Sequence, residues 1–121
     1  MHGADQQFFS RLASANASFA DKLPAVLERL GLLAAGLDPA APAASAAELQ
    51  AMLHTLAGSA ATFGYRGLGQ HARALEQRLR VLTAFEQVAA SDWSAWVGEL
   101  AQFVAAAQHN PRGLADIPKG A

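Results

Sequence analysis

Leu49-Gln50-Ala51-Met52-Leu53-His54-Thr55-Leu56-Ala57-Gly58-Ser59-Ala60-Ala61-Thr62-Phe63-Gly64 is the stretch that decides the fold. Apolar side chains at Leu49, Leu53, Leu56, Ala60 and Phe63 follow a four-three-four-three rhythm, the spacing of one helical stripe turned to a core. At roughly 100° per residue, His54 lies about 140° round from Leu49, off that stripe. Gly58 stands one turn beyond His54 on the same face, where residues four apart meet. A glycine inside a helix costs about 1 kcal/mol relative to alanine. Beside an outward histidine, it opens the approach to the imidazole.

The flanking segments frame this helix. Ser45-Ala46-Ala47-Glu48 reads as a capping box, in which serine and glutamate satisfy each other's exposed backbone donors. Gly64 closes the helix, since glycine most readily takes the left-handed conformation of a helix end. A turn through Tyr65, Arg66 and Gly67 leads to a second stripe, Leu68, Ala72, Leu75, Leu79 and Leu82. So short a connection predicts an antiparallel helical hairpin.

Upstream, Phe8, Leu12, Ala15, Phe19, Leu23, Val26, Leu30 and Leu33 keep one helical register straight past Pro24. This predicts a single long helix, kinked or briefly broken where Pro24 removes a donor and crowds the Ala20 carbonyl. Gly36 ends it, and Leu37 to Ala44 holds Pro39 and Pro42 in a connection. Downstream, Ser91 and Asp92 open a last helix with Trp93, Trp96, Val97, Leu100, Phe103, Val104 and Ala107 inward, until Asn110-Pro111 stops it. The expected helices span residues 4–35, 45–63, 66–87 and 92–108, with a tail over 109–121 that is flexible or laid against the surface. The expected architecture is all-α, an antiparallel up-down four-helix bundle forming a single domain over 1–121.

Composition agrees and excludes alternatives. A chain of 121 residues suits one domain. Hydrophobic residues make up 52%, much of it alanine, the strongest helix former. A net charge of −1 offers no basic field for nucleic acid. With no cysteine, disulfides and thiolate metal sites are excluded. The N-terminus lacks the pattern of a secretory signal, and the apolar run from Leu30 to Ala47 is interrupted by Asp38, Pro39 and Pro42. The expectation is a cytoplasmic protein with no membrane partner.

His54-x-Leu56-x-Gly58-Ser59-Ala60, followed by Gly64, Leu68, Leu75 and Glu76, resembles the histidine-containing phosphotransfer (HPt) domain. The motif covers about residues 49–80, and the bundle pattern extends the likeness along the chain. The resemblance implies a phosphorelay protein that takes a phosphoryl group on His54 from a receiver-domain aspartate and passes it on. It implies a hybrid sensor histidine kinase and a response-regulator receiver domain as partners. It also implies a monomer with no cofactor of its own, Mg²⁺ belonging to the receiver.

Glu76 stands at 76 − 54 = 22 residues from His54, the spacing at which the family's imidazole is bonded from across the hairpin. A carboxylate on Nδ1–H fixes the tautomer that leaves Nε2 free as the nucleophile. One departure is conspicuous: the family usually has a lysine three residues after the histidine, where this chain has Ala57. Arg73 and Arg80 on the next helix are candidates to stand in for it. Its loss implies slower transfer or a less stable phosphoform. Ala47, Gln50, Ala51, Gly58 and Ala61 share the outer face with His54, and Gln50, Ala51, Ala57, Gly58, Ala61, Arg73 and Arg80 form the expected docking surface.

Plainer readings stand beside these. A lone histidine on a helix is ordinarily just solvated, and only the combined spacing argues otherwise. Taken singly, Gly58 is a close-packing residue and Glu76 a partner for Arg73 or Arg80. His2, His71 and His109 show no metal-ligand spacing, and His71 reads as a plain surface residue. Trp93 and Trp96 read as core. With no phosphate loop and no serine or cysteine nucleophile motif, an independent enzyme is not expected. The alternatives are an HPt-like module that regulates a kinase or receiver by docking alone, and a purely structural helical adaptor.

Overall fold

The computed structural model describes residues 2–118, with side chains from Asp5 onward. Four helices follow one another: α1 (His2–Gly36), α2 (Ala43–Thr62), α3 (Arg66–Thr83) and α4 (Ala90–His109). No strand occurs among the described residues. Each helix packs against the next and α1 closes the ring against α4, giving an all-α four-helix bundle. The core is leucine-rich: Leu27, Leu30, Leu49, Leu53, Leu68, Leu79 and Leu100 are fully enclosed.

The α2–α3 hairpin is the tightest part of the bundle. Leu49, Leu53, Leu56 and Ala60 of α2 face Leu68, Ala72, Leu75 and Leu79 of α3, all buried. Gly64 has φ +82°, and across it the Tyr65 N–H donates to the Ala60 carbonyl at 2.8 Å. That bond is the longer one of a Schellman closure, so the turn is short and the register between α2 and α3 is set locally. Trp93 and Trp96 of α4 are buried, and the Trp96 indole N–H donates to the Leu75 carbonyl at 3.0 Å.

α1 is the single long helix that its register predicts, and the brief break at Pro24 does not occur. Ala20 and Pro24 are both exposed, so the carbonyl that proline leaves without a donor faces solvent, while Leu23 and Leu27 anchor the helix on either side. The expected stripe also fails in its first half. Phe8 and Leu12 are 61% and 40% exposed. With 35 residues against 20 in α2 and in α4, α1 outruns its neighbours, and its early turns have nothing to pack on. Phe19 is where packing begins, its ring 5.5 Å from Phe63 and 5.0 Å from Tyr65.

The Ser45–Glu48 capping box does not form. α2 starts at Ala43 with Pro42 as its cap residue and no side-chain cap bond. Ser45 therefore lies inside the first turn with helical backbone and cannot serve as a cap. Glu48 instead binds Arg29 of α1, accepting from Nε at 2.8 Å and from Nη2 at 2.9 Å. The hydrogen bond from Arg29 holds the Glu48 carboxyl below its ordinary value. α3 ends at Thr83, whose hydroxyl donates back to the Leu79 carbonyl, and α4 begins at Ala90.

Of the two dispositions considered for the tail, residues 110–118 adopt the packed one; Lys119, Gly120 and Ala121 lie outside the described residues. The Ile117 N–H donates to Gln70 Oε1 at 2.7 Å, and Asp116 sits 3.5 Å from Arg66. The Arg112 guanidinium lies 4.1 Å over the Tyr65 ring. His71, read as a plain surface residue, ties this segment down: it is half-buried, and its Nε2 bonds the Ala115 carbonyl at 2.9 Å.

Two substitutions test this account. Ser45→Ala leaves stability within about 0.5 kcal/mol of the parent, where loss of a working cap would cost about 1 kcal/mol. Leu53→Ala, in the α2–α3 core, lowers it by about 2–5 kcal/mol. Chemical denaturation followed by circular dichroism reads both.

Candidate functional site

His54 and Glu76 meet across the α2–α3 seam. The His54 Nδ1 lies 3.2 Å from Glu76 Oε1. Their exposures differ sharply: the histidine side chain is 70% exposed and the glutamate 6%. A buried carboxylate needs partners for both oxygens. Here Oε2 accepts from Arg80, at 2.8 Å from Nη2 and 3.1 Å from Nε. Among the described residues, no buried side-chain nitrogen or oxygen lacks a partner.

A carboxylate already paired with an arginine can only accept from the ring, so the hydrogen belongs on Nδ1. The Nε2 lone pair then lies on the far side of the imidazole, on an exposed ring. That arrangement suits nucleophilic attack by Nε2 on an electrophile brought from outside.

The seam is close because α3 is small where it meets α2. A Cβ built on Gly69 would lie 3.2 Å from the Ala57 carbonyl oxygen and 3.3 Å from the Ala61 nitrogen. Gly69 is a residue that the sequence reading did not single out. Its signal is the pair Gly67 and Gly69 within the first turn of a helix, where each costs stability unless close approach returns it. Gly58 is different. A Cβ there would meet nothing within 4 Å, so it leaves open space beside the imidazole.

The expected docking residues do not all share one surface. His54, Ala57, Gly58, Arg73, Glu76, Gln77 and Arg80 line a cleft of about 370 Å³. Ala57 is buried at its base and offers a partner no side chain. Ala51 is exposed on the opposite flank of α2, lining an apolar groove with Phe19, Val26, Met52 and Leu56. Gln50 is half-buried and lines a larger cleft of about 700 Å³ between Pro39 and Trp93, away from the imidazole. Ala61 is exposed above Gly58. Among the described residues, no three His, Cys, Asp or Glu side chains gather to hold a metal ion. No helix among them is long and apolar enough to cross a membrane.

Fold and site together define a helical bundle that presents one oriented imidazole on an outer helix. The family model described as the Hpt domain matches residues 17–110, and the chain belongs to that family. No curated protein and no solved structure matched it in the corresponding comparisons. Membership carries a phosphotransfer-related role in two-component signalling, in which Hpt domains work with receiver domains and histidine kinases.

The two glycines predict opposite outcomes for one methyl group. Gly58→Ala stabilises the protein by about 0.5–1 kcal/mol, because helix propensity improves with no clash. Gly69→Ala destabilises it by about 1–3 kcal/mol, because the methyl meets α2 backbone that must move. Thermal or denaturant unfolding of both variants checks the pair.

Proposed function

We propose that the chain is a phosphoryl carrier of a two-component phosphorelay, with His54 as the acceptor and Glu76 as the residue that orients it. The observation carrying this reading is the 3.2 Å contact between Nδ1 and a buried carboxylate on a ring that is otherwise exposed. The partner is a receiver domain carrying an aspartyl phosphate, with a hybrid histidine kinase upstream. Mg²⁺ belongs to the receiver. The protein acts as a cytoplasmic monomer and has no catalytic turnover of its own.

In the transfer step, the Nε2 lone pair attacks phosphorus and forms the N–P bond. The P–O bond to the receiver aspartate breaks, and its electron pair leaves on the carboxylate. The hydrogen stays on Nδ1, donated to Glu76, throughout, so no proton has to be relayed. The ring gains positive charge as it gives up its lone pair, and the carboxylate offsets that charge. Reversal follows the same path, since the Nδ1 hydrogen is in place from either side.

Positioning does most of the work in such a step. The groove between α1 and α2, with Phe19, Val26, Ala51 and Met52, supplies apolar surface on the flank of α2 opposite the His54 cleft. Transient signalling contacts need little area, so a modest groove is adequate for docking a receiver.

The test is transfer of labelled phosphate from a phosphorylated receiver. The expected result is acid-labile, base-stable label on the parent and none on His54→Gln. Glu76→Ala slows acceptance by about tenfold or more, the worth of one hydrogen bond to a charged group. Binding to receivers without any label on the parent would instead identify a module that regulates by docking alone.

A further inference from the structure

The four arginines of α3 are not equivalent. Arg66 pairs with Asp116, Arg78 with Glu99 and Arg80 with Glu76. Arg73 makes no ion pair or side-chain hydrogen bond among the described residues. It is exposed, and it opens into the same cleft as His54. The histidine helix itself, Ala43–Thr62, contains no lysine or arginine. The cationic side chains that this chain brings to that cleft, Arg73 and Arg80, therefore both come from α3.

Register places Arg73 at the right height. α2 and α3 run antiparallel, and His54 meets Glu76. Gly69 packs between Ala57 and Ala61, which keeps the same register. Arg73 thus stands across from Ala57 and Gly58, one turn along the seam from the imidazole. That step is about 4.5 Å along the helix axis, well within the length of an arginine side chain. Neither Ala57 nor Gly58 has a side chain long enough to occupy the space between.

Charge points the same way. Glu76 is already neutralised by Arg80, whose Nε and Nη2 are both turned to Oε2. A phosphoryl group brings about −1.5 to −2. With Nδ1–H retained and phosphorus on Nε2, the ring carries one positive charge. One further cation completes the balance. A guanidinium is suited to the task, because its planar fork offers parallel donors to phosphoryl oxygens.

We propose that Arg73 is the phosphoryl-binding residue of this site: its guanidinium, supplied from α3, holds the oxygens of the group on His54 Nε2. This rests on the carrier reading above. It distinguishes Arg73 from Arg80, which is held by Glu76, and from Lys22, which lies in the groove on the other flank of α2.

The experiment uses the full chain and two donors, a phosphorylated receiver and phosphoramidate, which needs no partner. Arg73→Ala is expected to slow acceptance at His54 from both donors by about tenfold, with parental circular dichroism. Arg73→Lys restores part of the rate. Ala57→Lys placed on Arg73→Ala restores it from the other wall of the cleft, a rescue that a purely structural role would not allow. Arg11→Ala, a control for net charge on the exposed early turns of α1, leaves labelling from both donors at the parental rate. Parental rates for Arg73→Ala, or an equal slowing by Arg11→Ala, overturn the assignment while leaving the carrier reading intact. Absence of label on the parent from either donor overturns the carrier reading itself.

Discussion

The bond between Glu76 and His54 is the constraint to which the rest of the structure answers. A carboxylate removed from water needs a partner on each oxygen, and here one is a ring N–H and the other an arginine. Meeting that need fixes the spacing of two helices. α3 must come close enough for a glutamate to reach the outer face of α2, and Gly69 makes that approach possible. The helices must also hold one register, and the Gly64 closure sets it within a few residues. The leucines of the seam then maintain by burial what the turn begins.

Much of this was legible in the amino-acid order. The stripe of α2 and that of α3 are continuous, and both lie against neighbours along most of their length. The pairing of residues 54 and 76 followed from spacing together with family resemblance. Two kinds of feature were not legible. Periodicity reports which face of a helix is apolar, but not whether another helix is there to cover it. The register of α1 from Phe8 onward is unbroken, yet Phe8 and Leu12 lie beyond the ends of their neighbours. The match to the family begins at residue 17, close to where packing begins at Phe19.

The second kind is competition. Ser45 and Glu48 satisfy a local capping rule, but Glu48 has a distant alternative in Arg29 and the helix starts earlier, at Ala43. No local pattern shows a partner nineteen residues away. His71 is similar, since its bond to Ala115 crosses forty-four residues. Gly69 is a cost to its own helix by local rules, and what compensates it lies on α2. In each case the sequence states a local preference, and a distant contact decides the outcome.

The division of burial between the two site residues has a chemical consequence. Charges interact weakly in water and strongly where water is excluded. The carboxylate, its arginine and the Nδ1 hydrogen are arranged within the fold, so their orientation costs nothing at the moment of reaction. The Nε2 that the proposed transfer uses stays in water, where the same charges are screened. On that reading a partner covering the cleft removes the screening. The free module would then carry an oriented but quiet imidazole, and the docking surface would become part of the chemistry. A fold that buried the nucleophile as deeply as its carboxylate would have the reverse defect, strong fields with no access.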